Sequence, residues 1–157
     1  MVLALSMSAF AGVYEDAASC ADDCHIIKPY AESAKNADLL VSKHMEAGIG
    51  CTDCHERNEQ IEKDEREWYK NGEFEEPMFV REFDADFCLK CHESYGALAE
   101  RTAYLLDKWG RNPHESHLGE SDCGICHKAH RTSEFVCSEC HHADWETRLP
   151  KGWKPKK

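Results

Sequence analysis

Residues 123–142 read Cys-Gly-Ile-Cys-His-Lys-Ala-His-Arg-Thr-Ser-Glu-Phe-Val-Cys-Ser-Glu-Cys-His-His. Two C-x-x-C-H units, Cys123/Cys126/His127 and Cys137/Cys140/His141, lie within these twenty residues, with His130 between them. The spacing has a chemical reason. Two thiols three positions apart on a tight turn reach the two vinyl groups of one porphyrin and form thioethers. The histidine that follows lies under the ring, where its imidazole binds iron.

Working outward, the unit recurs at Cys51/Cys54/His55 and at Cys88/Cys91/His92. Drawing Cys, Cys and His at random from this composition predicts roughly 0.04 such units, so four is not an accident of richness in Cys and His. A near-copy, Cys20-Ala-Asp-Asp-Cys24-His25, has three residues between its thiols. It reads either as a fifth haem with a longer loop or as a disulfide or free thiol pair. The histidine directly after Cys24 favours haem, having no role in a disulfide. The five units use all 10 cysteines.

The histidines close the count. Five of the 10 follow cysteine pairs, and His44, His114, His117, His130 and His142 do not. Five irons with two imidazoles each need all of them. With four haems, His44, His114, His117 and His130 complete the set, and His25 and His142 drop out together. His142 is the natural second ligand of the extra iron, with Met45 or Lys28 as substitutes. Two imidazoles leave iron no open position, so the expected product is an electron carrier and not an enzyme. Without methionine ligation the potentials are expected to be low.

A chain of 157 residues has room for one domain of ordinary size. Hydrophobic content is 41%, and mean hydropathy is −0.67, which leaves a thin apolar interior. Four haems, or five, would supply the rest. The expected fold is mainly α with much irregular structure: a haem-packed core with short helices carrying the CxxCH units. The net charge of −11 disfavours nucleic acid and suits steering toward a basic face on a redox partner.

At the N-terminus, Val2 to Phe10 resembles an apolar signal region, and Ala9-Phe10-Ala11 matches a cleavage site. Residues 1–11 are read as the remnant of a secretory signal, with a severed membrane anchor as the alternative; the run itself is too short to span a bilayer. Export to the periplasm, or to the outer face of the cell membrane, agrees with covalent haem attachment. The haem domain is expected over 12–142, followed by a basic tail, 143–157, expected to be disordered.

Between the units, a helical pattern runs from Tyr30 to Glu46 after Pro29, with Ala37, Val41 and His44 on one face. A charged, solvated helix is expected from Glu56 to Gly72, and an acidic loop from Gly72 to Asp86. Leu98, Thr102, Leu105 and Trp109 mark one amphipathic helix over Tyr95–Trp109, ended by Gly110. Then Asn112-Pro113-His114-Glu115-Ser116-His117 sets two histidines at i, i+3. Such a pair could share a zinc ion; with porphyrins nearby, each is expected to serve a different haem.

From Lys43 to His141 the order of motifs resembles the tetrahaem cytochrome domain of flavocytochrome c fumarate reductases and the related small tetrahaem cytochromes. The resemblance rests on His44 before Cys51–His55, on Cys88–His92, on Asn112–His117, on Cys123–His130 and on Cys137–His141. It implies His44, His114, His117 and His130 as distal ligands and a flavoprotein reductase as partner, here expected on a separate polypeptide. Residues 20–55 look similar to the front of NapC/NrfH quinol-oxidising cytochromes. That implies an alternative: electrons passed from a membrane quinol dehydrogenase step to a terminal reductase in anaerobic respiration. A haem enzyme acting on a small oxyanion and a zinc-ribbon module are the remaining rivals. The latter is disfavoured because zinc ribbons do not require histidine after every second cysteine.

Overall fold

The computed structural model describes residues 28–55, 58–73 and 83–157. The signal remnant at 1–11, the Cys20/Cys24/His25 unit and most of the acidic loop at 72–86 lie outside the described residues. The chain divides into two compact units, Met1–Val80 and Arg81–Lys157.

In the first unit, α1 spans Lys28–Ser33, α2 Leu40–Glu46, α3 Cys51–Cys54 and α4 Glu59–Asn71. The expected helix from Tyr30 to Glu46 is therefore two. Asn36 breaks it: its side-chain oxygen accepts the Asp38 N–H at 3.1 Å, a local bond that competes with the helical ladder. The buried face changes accordingly. Ala34, Leu39, Ser42 and Met45 are buried, Ala37 is exposed in the turn, and His44 is half-buried. Met45, enclosed at 2% exposure, belongs to this small core.

A Schellman-type end closes α2. Ile49 N–H reaches the His44 carbonyl at 3.0 Å, and Gly48 takes φ +85°, a conformation that glycine adopts without strain. Gly50 then caps α3, its N–H donating to Asp53 Oδ2 at 2.7 Å. The two caps fix how His44 leads into Cys51. Asn58 starts α4 by accepting from the Gln60 and Ile61 N–H groups, both at 3.1 Å. Ile61 and Trp68 are exposed on that helix, as a solvated face would have them.

In the second unit, α5 covers Ala85–His92, α6 Tyr95–Arg101, α7 Tyr104–Trp109, α8 Cys123–Cys126 and α9 Trp145–Arg148. Short 3-10 turns lie at Pro113–Glu115 and Val136–Glu139. Side-chain caps begin α5 and α6: Asp84 accepts from Phe87 N–H at 3.0 Å, and Ser94 from Ala97 N–H at 3.1 Å. Gly110, at φ +74°, ends α7 in the left-handed conformation. The single helix expected over Tyr95–Trp109 is broken at Thr102. Its hydroxyl bonds back to the Leu98 carbonyl at 2.7 Å, and the Thr102 backbone leaves helical geometry with ψ 13°.

The C-terminal segment is ordered, which corrects the expectation of a disordered tail. Strand β1, Ser133–Phe135, pairs in parallel with β2, Trp153–Pro155, in the register Ser133↔Trp153, Glu134↔Lys154, Phe135↔Pro155. Ion pairs Lys154–Glu134 (3.1 Å) and Lys156–Glu139 (3.6 Å) use the basic end inside the unit. The core forms around Leu105, Trp109, Phe135 and Trp145. Phe135 and Trp145 ring centres are 4.6 Å apart, and Trp109 stands edge-on to both, at 5.3 and 6.4 Å. Indole groups on a flexible tail have no such partners; here burial outweighs the cost of ordering the segment.

Trp145→Ala is expected to lower the unfolding free energy of the holoprotein by about 3–5 kcal/mol, the usual cost of emptying a large aromatic site. Denaturant titration read by near-ultraviolet circular dichroism measures it; an unchanged midpoint would place α9 outside the core.

Candidate haem-binding site

Each described C-x-x-C-H unit adopts the same local closure. The histidine N–H donates to the carbonyl of the first cysteine at 2.8 Å, in His55–Cys51, His127–Cys123 and His141–Cys137. One turn of helix results, and it sets the two cysteines at i and i+3 on one side. In the fourth unit the residues Cys88–His92 form the last turn of α5. Glu93 follows with φ 69° and ψ −76°, and Ser94 N–H returns to the His92 carbonyl at 2.9 Å. This is a classical γ-turn, a strained conformation that turns the chain sharply after His92. Arg101 donates to the same carbonyl at 2.7 Å.

None of the eight described cysteines is in a disulfide; six are half-buried, and Cys91 and Cys140 are exposed. Burial pushes the Cys126 and Cys137 thiols upward in pKa. Among the described residues, no three His, Cys, Asp or Glu side chains converge on one point, as a zinc ribbon would require.

The histidines pair across elements. His114, from the 3-10 turn at Pro113–Glu115, faces His127, with ring centres 6.1 Å apart and planes within 9°. His117 faces His141 at 6.0 Å, with planes at 65°. A metal–imidazole bond is about 2 Å and the ring centre lies roughly 1 Å farther out, so two imidazoles on opposite sides of one metal ion have centres about 6 Å apart. Both pairs meet that requirement. The i, i+3 histidines thus face two different C-x-x-C-H units. The pairing of spare to motif histidines, which sequence leaves open, is a matter of tertiary contact.

Supporting contacts hold the pairs. Trp153 of β2 stands edge-on to His127 at 5.0 Å, so the C-terminal strand buttresses a site residue. Trp145 donates its indole N–H to the His141 carbonyl at 2.6 Å. Burial first, and His92 second, hold His114 below the usual histidine range. His141 is lowered too, by desolvation first and then by Arg111, His117 and His142. Thr102 and Asn112, which the sequence reading gave no site role, bracket His114: Thr102 Oγ1 lies 3.0 Å from its Nδ1, and Asn112 caps its turn. The available signal was a polar residue in the otherwise apolar stripe Leu98, Leu105, Trp109.

The remaining candidates differ in exposure. His44 and His55 are half-buried in the first unit; in the second, His92 and His130 are half-buried and His142 is exposed. His25, with Cys20 and Cys24, lies outside the described residues.

Repeated thiol pairs on single turns, each followed by histidine, in a short-helix fold with a small apolar core, define a multihaem c-type cytochrome. The particular family follows from comparison. The chain belongs to the cytochrome c3 family, whose model matches residues 43–142; members of the family bind c-type haem and carry electrons. It is 33% identical over 111 residues to a probable fumarate reductase, Ifc3, of Shewanella frigidimarina, an alignment covering 71% of this chain and 15% of that protein. It is 31% identical over 135 residues to the cytochrome c-type protein Cgr1 of Eggerthella lenta, covering 78% of this chain and 59% of that protein. The chain thus spans less than two thirds of either relative. No solved structure matches it.

Proposed function

We propose that this chain passes electrons to an exported flavin-containing reductase of fumarate reductase type. The observation that carries the reading is the pair of histidine couples at 6.1 and 6.0 Å. Cys51/Cys54, Cys88/Cys91, Cys123/Cys126 and Cys137/Cys140 hold four haems by thioether bonds, with His55, His92, His127 and His141 as proximal ligands. His44, His114, His117 and His130 would supply the second histidine at each iron. Cys20, Cys24 and His25 hold a fifth. When bound, the haem irons supply one-electron redox chemistry. The chain's own residues would attach and orient them, and two histidines at each iron would leave no position open for a substrate. The chain is accordingly a carrier and not itself catalytic.

The flavoprotein partner is supported by the similarity to a protein named as a probable fumarate reductase. The excess of acidic residues supports docking against a basic face. Residues 1–11 act as part of a secretory signal and 12–142 as the haem-binding region, with assembly outside the cytoplasm. No helix among the described residues is long and apolar enough to cross a membrane.

Two measurements test the proposal. Intact mass of the holoprotein is expected to exceed that of the polypeptide by five haems; an excess of four would remove the Cys20/Cys24 site, and no excess would end the proposal. The reduced cytochrome, mixed with the flavoprotein that co-purifies with it, is expected to bleach the flavin absorbance in stopped flow. A flavin that stays oxidised rules out this partner class.

A further inference from the structure

Thr102 interrupts an apolar helix face and sits among three polar neighbours. Its Oγ1 lies 2.7 Å from the Leu98 carbonyl, 3.0 Å from Asn112 Oδ1 and 3.0 Å from His114 Nδ1. The Asn112 amide has one possible orientation. Its Nδ2 donates to the Ala99 carbonyl at 2.8 Å, while its Oδ1 accepts the His114 backbone N–H at 3.2 Å. Neither backbone group can exchange roles. Asn112 is buried at 7% exposure, so water does not relax this arrangement.

The Thr102 hydroxyl therefore faces two groups, Leu98 O and Asn112 Oδ1, that only accept. Given to one of them, its single hydrogen leaves a lone pair toward His114; given to His114, it leaves both acceptors facing lone pairs at 2.7 and 3.0 Å, the costlier arrangement. The hydrogen bond is complete only if His114 Nδ1 carries the proton and donates it. The opposite tautomer would set lone pair against lone pair at 3.0 Å in a half-buried site.

We propose that Thr102, oriented by Asn112, is a positioning residue that fixes His114 in the tautomer leaving Nε2 free for iron, and that it thereby tunes that one haem. The inference rests on the reading of His114 as a ligand. A ligating imidazole whose other N–H is hydrogen-bonded is the more basic donor, and a more basic donor favours the oxidised metal. The interaction holds the potential of one haem down and leaves the others untouched.

Redox titration and electron paramagnetic resonance of the full-length holoprotein test this. In Thr102→Val one midpoint potential is expected to rise and one low-spin signal to shift, with the rest unchanged. Thr102→Ser, which restores the hydroxyl, is expected to return both to wild-type values. Unchanged potentials in the valine variant, or a serine variant shifted as far as valine, overturn the inference. Wild-type protein gives a reading independent of any substitution. In the fully reduced, diamagnetic holoprotein, the His114 Nδ1 proton is expected to exchange slowly and to show a cross-peak to the Thr102 methyl; exchange as fast as in an exposed imidazole overturns it. His114→Ala separates the two levels. If it alters no haem spectrum, the ligand reading fails; if it alters one while Thr102→Val alters none, only the tautomer role fails.

Discussion

The double substitution Cys123→Ser/Cys126→Ser is expected to yield a chain lighter by one haem and with a loosened second unit. Serine keeps the size and the local closure of the turn, since the His127 N–H still reaches the residue 123 carbonyl, so the loss is chemical and not a failure of α8 to form. What is expected to disappear is the covalent link that, on the proposed reading, would keep a porphyrin between His127 and His114. The consequence for the fold follows from how little else is buried. The hydrophobic cluster of this unit is Leu105, Trp109, Phe135 and Trp145, with Cys137, Leu149 and Trp153 partly buried against it. His127 touches that cluster's edge through Trp153. A porphyrin held at His127 would lie near that edge, so its loss is expected to weaken the packing of Trp153 and the β1–β2 pair.

The measurements are the holoprotein mass and the proteolytic susceptibility of residues 131–157. We expect one haem fewer and cleavage at least tenfold faster than wild type. Cys51→Ser/Cys54→Ser is the control: it also removes one haem, but from the first unit, and the cleavage rate in 131–157 should hold. Equal acceleration in both variants would show that the loosening is not specific to a haem of the second unit, and no acceleration in the first variant would show that this unit does not depend on it.

The parts of this structure that sequence made legible are those fixed within a few residues. The C-x-x-C-H turn closes through an i, i+4 hydrogen bond, and its cofactor chemistry is written in the same five positions. Gly110 marks the end of α7 because the left-handed conformation there suits glycine. The helix breaks were less visible. Asn36 and Thr102 both lie in segments with helical periodicity, and in each a short polar side chain diverts a backbone group of its own neighbourhood. Periodicity counts apolar positions and does not see that competition.

The C-terminal strand was illegible for a different reason. Residues 153–155 carry no alternating pattern of their own; they pair because Ser133–Phe135 offers an edge and because Trp145 and Leu149 carry the chain back across the core. Basic residues that look like a solvated tail are neutralised locally by Glu134 and Glu139. The pairing of histidines is likewise long-range: His114 and His117 are one turn apart, and only the folded path of 118–141 decides which motif each one meets.

That pairing makes its sharpest statement at His117. Its ring is exposed and faces His141 at 6.0 Å, so truncation there leaves no cavity in the protein core and breaks none of the Thr102–Asn112 bonds that hold His114. His117→Ala is therefore expected to fold, to keep every haem, and to differ from wild type in a single respect. One iron loses its second imidazole and becomes accessible. Carbon monoxide added to the reduced variant should shift the Soret band with a stoichiometry of one per chain, while wild type should show no change. His117→Met distinguishes an empty position from an exchanged ligand. A thioether raises the potential relative to imidazole, so the variant should exclude carbon monoxide and show one midpoint potential moved upward, by some fraction of the roughly 0.8 V that axial ligation commands. If carbon monoxide leaves the reduced His117→Ala spectrum unaltered, His117 is no ligand, and the 6.0 Å spacing between it and His141 is a packing contact alone.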